Sequence, residues 1–283
     1  AELLEVMCRV RAHLAAVHGH EVLAGSLLQR QATTTGAGVA MSVVRRGRAL
    51  GLADEDIVVR WPVALALTTL YATAACGAAL LDRTGRATRE IGGAWSRVLL
   101  RLLRVDVAAE GLGHAPPGPA VYAANHASAL DILIVFGHLP IDFRIVYKKS
   151  LSLVPLLGWA IRLGGHVPID RSHPFRARRS LDAAARRIRG GTSVVVFPEG
   201  TRSPDGTVRR FKRGSFSLAI AAGVPVVPVS LVGVKGVVPR GLPSVRPGTV
   251  RAVLLPPVPV AGRSIEDAEA LAEEVRTIVS GVK

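Results

Sequence analysis

Apolar and polar positions divide the chain into stretches of different character. Residues 1–31 put Leu3, Leu4, Met7, Val10, Leu14 and Val17 at helical spacing, and a loose Ala/Thr/Gly run follows over 32–38. Trp61–Leu81 contains no charged residue. Its residues at ~1.5 Å each give ~31 Å, about the thickness of a bilayer's hydrocarbon core. Arg60 and Asp82-Arg83 stand at its two ends, as they would at two water interfaces. The pattern predicts a membrane segment; the alternative is a buried core helix. Basic residues on both sides leave its orientation open. In the run over 95–104, Arg97, Arg101 and Arg104 recur at helical spacing beside a leucine face. That pattern describes a helix lying in the membrane interface with its arginines at headgroups, or one packed on the protein with a solvated basic face.

Beyond about residue 105 the pattern alternates between short β-like runs and helical stretches. Strands are expected at 120–124, 143–147, 166–169, 193–197, 226–232 and 250–255. Helices are expected near 128–139, 149–163, 174–189, 213–222 and 264–281. Such alternation predicts an α/β domain with a largely parallel central sheet flanked by helices. Ser264 and Asp267 form a capping-box pair at the start of the last helix. The expected organisation is an N-terminal extension over 1–40, a membrane-anchoring helical segment over 41–104 and a catalytic domain over 105–283. Met41 offers an alternative start, under which residues 1–40 would not belong to the native protein.

Charge adds a class of partner. Lys+Arg is 36 against Asp+Glu 21, a net charge of +15, and hydrophobic residues make up 49% of the chain. The mean hydropathy is +0.35. A basic surplus suits anionic partners: lipid headgroups, phosphorylated substrates or nucleic acid. Nucleic acid would call for basic clusters interleaved with aromatics or a reading motif; aromatics are 4% and no such motif is present. Cys8 and Cys76 are far apart, which excludes a disulfide framework and fits a reducing compartment. The eight histidines show no metal-ligand spacing.

The candidate chemistry lies at strand ends. Asn125-His126-Ala127-Ser128-Ala129-Leu130-Asp131 directly follows the strand expected at 120–124. One helical turn begun between His126 and Asp131 can fold the carboxylate back onto the imidazole, fixing its tautomer and stabilising the imidazolium. Phe197-Pro198-Glu199-Gly200-Thr201-Arg202-Ser203 ends another strand, at the sheet edge where α/β proteins place ligands. Gly200 permits a tight turn, and Arg202 offers a planar fork for phosphate or carboxylate. Gly165-His166-Val167-Pro168-Ile169-Asp170-Arg171 puts a second arginine at a strand end. Phe211-Lys212-Arg213-Gly214 adds a cationic site at a helix start, and Gly223-Val224-Pro225-Val226-Val227-Pro228-Val229 is an apolar strand framed by prolines.

These blocks, in this order, resemble the four motifs of the glycerolipid acyltransferase family typified by 1-acylglycerol-3-phosphate acyltransferase. The resemblance covers roughly residues 60–260. It departs at Ala127, where glutamine is common, and at Pro168, where a bulky apolar residue is frequent. It implies transfer of a fatty acyl group from acyl-CoA or acyl carrier protein to the free hydroxyl of 1-acylglycerol 3-phosphate, forming phosphatidic acid. His126 is the implied base and Asp131 its orienting partner. Arg171, Glu199, Gly200, Thr201, Arg202 and Lys212 are the implied acceptor-binding residues, with Arg171 and Arg202 on the phosphate. Pro225 and Val226 are implied for the acyl-donor pocket. No metal or cofactor is expected, the donor thioester being a co-substrate. Glu199 has two readings, a loop brace or a contact to a substrate hydroxyl, and Ser128 reads as a helix cap rather than a nucleophile. The resemblance further implies the inner (cytoplasmic) membrane, with the catalytic domain facing the cytoplasm. Sibling acyltransferases acting on glycerol 3-phosphate, another lysophospholipid or a lyso-aminolipid share the motifs. A thioesterase or lipid hydrolase is the rival from another class; the chain has no G-x-S-x-G elbow. The basic helix containing Arg176, Arg178, Arg179, Arg186, Arg187 and Arg189 reads either as a solvated face or as a contact for lipid or carrier protein.

Overall fold

The computed structural model describes residues 59–82, 84–169, 174–238 and 245–282. Residues 64–238 and 246–282 of these form one compact unit, which carries the sheet and the site; residues 59–63 and Val245 group with a second unit. The expected extension over 1–40 and the first part of the anchoring segment, 41–58, lie outside the described residues.

Seven strands build one sheet: β1 (Val105–Glu110), β2 (Val121–Ala124), β3 (Phe143–Lys148), β4 (Val167–Ile169), β5 (Ser193–Val196), β6 (Val226–Val232) and β7 (Gly248–Leu254). Their spatial order is β1-β7-β6-β2-β5-β3-β4. Every neighbouring pair is parallel except β6 and β7. The sheet is therefore largely parallel, as the alternation predicts. β2 and β5 are buried at every position and β6 at all but its last, the signature of central strands covered by helices on both faces. Their sequences are accordingly continuous apolar runs rather than alternating ones.

Strand β1 departs from the expected pattern, which begins the sheet at residue 120. Its sequence, Val-Asp-Val-Ala-Ala-Glu, is mostly half-buried. At the end of the strand order it needs no apolar run, so hydrophobicity does not reveal it.

Helix α1 (Trp61–Leu81) is long and apolar enough to cross a membrane by length and composition. Only Ala64, Ala72 and Ala75 in it are buried, less than a helix inside the core of the described domain would show. Helix α2 (Arg86–Leu102) resolves its own alternative in the other direction. Leu99 and Leu100 are buried against the domain, while Arg97 and Arg101 are exposed. Its leucine face is thus packed on protein and its basic face is exposed, with Arg97 donating to the Gly137 carbonyl at 3.1 Å. The packing partner is helix α3 (Leu130–His138), approached so closely that a Cβ on Gly93 would lie 3.1 Å from the Phe136 carbonyl oxygen.

Helices α4 (Leu157–Leu163), α5 (Pro174–Arg189), α6 (Gly214–Ala222), α7 (Val234–Val237) and α8 (Ala268–Ser280) complete the fold. α5, α6 and α8 share one core with one face of β2: Val121 and Ala123 pack in a cluster with Ile188, Phe216 and Leu271. α3 covers the other face, where Phe136 meets Phe143 of β3 at 5.3 Å between ring centroids. His166 belongs to this packing rather than to the chemistry. It is buried beside Phe136 and accepts the Ile145 amide on Nδ1 at 3.0 Å. Burial, reinforced by Arg144, Arg187 and Arg89, pushes its pKa down to about 3, so it is neutral.

Candidate active site

The strand order fixes where a ligand can enter. From β2 the chain crosses β5, through α3, to reach β3; from β5 it crosses β2, through α6, to reach β6. The two crossovers leave neighbouring parallel strands in opposite directions and over opposite faces, which opens a crevice beyond their carboxyl ends. Ala123 pairs with Val196, so His126 and Glu199, each three residues on, emerge at the same level.

The loop after β2 is wound around a carboxylate. Asp131, fully buried in the first turn of α3, takes three donors on Oδ2: His126 Nδ1 at 2.7 Å, the Ala127 amide at 2.6 Å and the Ser128 amide at 2.8 Å. A carboxylate bonded to Nδ1 assigns the ring proton to that nitrogen and leaves Nε2 as the basic atom. Oδ1 of Asp131 is buried with no hydrogen-bond partner among the described residues. The imidazole keeps 16% of its surface exposed and stacks on Phe197, centroids 4.4 Å apart. Its rotation is thus restricted from two sides while its free edge stays reachable. Ser128 is buried and accepts the Leu130 amide on Oγ at 3.1 Å, the helix-start role expected of it.

The loop after β5 locks onto the first. Glu199 accepts the backbone amide of His126 on Oε1 at 2.9 Å, and the Ser203 amide donates to the His126 carbonyl at 2.7 Å. Of its two expected readings, the loop brace is the one the hydrogen bonding favours. Burial pushes the Glu199 carboxyl up to about 7, against the amides of His126 and Arg209, which lower it. A third tie runs from the Lys212 amide to the Pro198 carbonyl at 2.9 Å. Gly200 turns at φ +77°, and a Cβ there would lie 2.7 Å from Lys212 Nζ. The residue expected for close approach is therefore approached by the expected cation. Thr201 is exposed and Arg202 partly so, at the mouth of the same loop.

His126, Asp131, Glu199, Gly200, Thr201, Arg202 and Lys212 come together in this way. Pro225 and Val226 do not. Val226 pairs with Val121 at the start of β2, the Pro225 carbonyl accepts the Val121 amide, and Val226 is buried in the core. With parallel strands that is the opposite edge of the sheet, five residues below His126 or ~16 Å. The structure does not bring this expected donor-pocket pair to the His126 edge: Pro225 directly precedes the core strand β6 and Val226 begins it. Arg171 lies outside the described residues.

Sequence reasoning left Asn125 without a role. Its amide group pairs with both backbone groups of Leu231 on β6, donating to the carbonyl at 3.0 Å and accepting the N–H at 2.7 Å. The end of β2 is thus fixed to its neighbour just before His126. A cavity of about 460 Å³ flanks this junction, lined by Asn125, Ala127, Gly206, Leu231 and Lys235 but not by His126.

A family profile described as Acyltransferase matches residues 106–232. The chain is 43% identical over 146 residues to a 1-acyl-sn-glycerol-3-phosphate acyltransferase of Chlamydomonas reinhardtii, covering 50% of this chain and 44% of that protein. It is 35% identical over 176 residues to the alpha 1-acyl-sn-glycerol-3-phosphate acyltransferase of Homo sapiens, covering 62% of each. The match thus spans about half the length of such curated relatives. Among solved structures, the 1-acyl-sn-glycerophosphate acyltransferase PlsC of Thermotoga maritima shares the fold at a TM-score of 0.63 and 30% identity, over 79% of this chain and 95% of that one.

Proposed function

The chain belongs to the acyltransferase family of the 1-acyl-sn-glycerol-3-phosphate acyltransferases, and on that premise we propose that it acylates the free hydroxyl of 1-acylglycerol 3-phosphate to give phosphatidic acid. The observation that carries the reading is the 2.7 Å bond between His126 Nδ1 and the buried Asp131, which makes Nε2 a base at the crevice.

In this reaction Nε2 takes the proton of the acceptor hydroxyl as its oxygen attacks the thioester carbonyl of acyl-CoA or acyl carrier protein. The tetrahedral intermediate collapses with loss of the thiolate, which the imidazolium then protonates. Asp131 holds the ring and balances its charge during the transfer. No acyl-enzyme forms, and no metal or cofactor takes part. Arg202, with Lys212 and Arg171, receives the acceptor's phosphate, fixing the hydroxyl at a near-attack distance and so removing an entropic barrier. Glu199 acts from behind, through the backbone of His126. The enzyme works at the inner membrane with the site on the cytoplasmic side; the apolar, exposed helix α1 supports membrane attachment.

The test is the purified chain with labelled acyl-CoA or acyl carrier protein and a panel of lysophosphatidate, glycerol 3-phosphate, other lysophospholipids and monoacylglycerol. Labelled phosphatidate from lysophosphatidate is the expected product. Release of free fatty acid without transfer, or turnover confined to another acceptor, contradicts the reading.

A further inference from the structure

We propose that residues 148–163, between β3 and β4, form a second membrane-inserting element, one that seats the site edge of the sheet on a bilayer containing anionic lipid. The proposal rests on the reading that the chain works at a membrane and adds a place of contact that α1 and α2 do not supply.

The observation is an excess of exposed apolar surface in one short segment. Outside α1 and the residues just before it, the described chain exposes Leu112 and Ile265 singly, but Leu153, Trp159 and Leu163 together, at 82%, 56% and 49%. A 3-10 turn (Lys149–Leu153) followed by α4 presents them. Single exposed apolar residues are ordinary; a cluster of large ones marks a surface that another phase covers. The leucine face of α2 cannot serve, because Leu99 and Leu100 are spent on the core.

Charge selects the occupant. Lys148, Lys149 and Arg162 are exposed around the same apolar residues, and no acidic residue occurs from Phe143 to Ile169. An exposed apolar segment that carries lysine and arginine and no acid of its own matches acyl chains bordered by anionic headgroups, and tryptophan is favoured at that boundary. The segment is also continuous in packing with the apolar helix α1. Ala72 and Ala75 meet Ala160, with Cys76 and Leu156 beside them, while Leu70, Leu80 and Leu81 of α1 stay exposed. Finally, the segment leaves the carboxyl end of β3, which runs parallel to β5 and β2. The turn carrying Leu153 stands at that end, and α4 then runs back until Leu163 precedes the start of β4. Insertion of the Leu153 end therefore brings the edge carrying His126 to the lipid surface, and a lysophosphatidate reaches the base while its acyl chain stays in the leaflet.

The test uses the full chain with vesicles of phosphatidylcholine alone or mixed with phosphatidylglycerol, some prepared with bromine-labelled acyl chains. Bromolipid should quench wild-type tryptophan fluorescence, and part of that quenching should vanish in Trp159→Phe. Leu153→Asp with Trp159→Ser should weaken binding to the mixed vesicles by at least about tenfold, with turnover in detergent micelles unchanged. Should this pair fail to fold, Trp159→Phe carries the test alone. A vesicle-bound chain quenched equally in wild type and Trp159→Phe overturns the proposal and leaves α1 as the attachment. A wild-type chain that binds neither vesicle overturns the membrane reading itself. Equal binding to both vesicles refutes the anionic preference. A lipid-free dimer that Trp159→Ser converts to monomer assigns the patch to a second copy and also overturns the proposal.

Discussion

Glu199 holds the backbone amide of His126 at 2.9 Å across 73 positions of sequence, so the loops after β2 and β5 are one structural unit. The carboxyl is buried, its other oxygen has no hydrogen-bond partner among the described residues, and its pKa is raised to about 7. The imidazole is thereby positioned from two directions: through its ring by Asp131 and through its peptide by Glu199.

That raised pKa has a consequence for stability. A carboxyl with a native pKa of about 7 against 4.5 when exposed holds its proton more tightly in the folded state. Its contribution to stability is then full below about pH 4.5 and declines as pH rises towards 7. Glu199→Gln keeps an oxygen for the His126 amide but cannot ionise. The variant should lose less thermal stability than wild type between those two pH values. An identical decline in both proteins would show that Glu199 does not carry it.

Asn125→Ala removes both bonds to Leu231 and leaves its backbone groups unpaired inside the protein. A cost of about 1–3 kcal/mol is expected, read from denaturant unfolding. Turnover should fall more than acceptor KM rises, because the loop that loses its tether carries the base rather than the phosphate site. A change under about 0.5 kcal/mol, the size typical of surface substitutions, would contradict the tether.

Arg202→Lys tests which substrate the second loop recognises. Lysine keeps the charge and loses the planar fork. If the fork grips the acceptor's phosphate, KM for lysophosphatidate should rise roughly 10–150-fold, the equivalent of one charge-assisted hydrogen bond, with donor KM little changed. A rise confined to acyl-CoA KM assigns the arginine to the donor instead.

Much of this site is legible in the chain because its chemistry is local. His126 and Asp131 meet through one helical turn, Gly200 shows its positive φ by being glycine, and Ser264 and Asp267 form the capping box their spacing announces. The central strands are legible because burial on both faces leaves continuous apolar runs. What depends on strand order is not. Glu199 and His126 meet only because β5 lies beside β2, and Asn125 reaches Leu231 only because β6 lies on the other side. Pro225 and Val226 belong to a motif-like block, yet a parallel neighbour sends them to the far edge. The leucine face of α2 fits a membrane interface as well as a protein core; packing against α3 settles which it meets. For the basic helix α5, Arg187 donates to the Gly165 carbonyl and Arg189 to the Ala221 carbonyl, uses that spacing alone does not reveal.

The most direct test of His126 as the base is the turnover number for phosphatidate formation by purified His126→Ala, beside wild type in the same detergent and with folding checked by circular dichroism. Loss of a general base predicts a fall of about 10²–10⁴-fold; a variant that retained more than about a tenth of wild-type turnover would contradict the assignment.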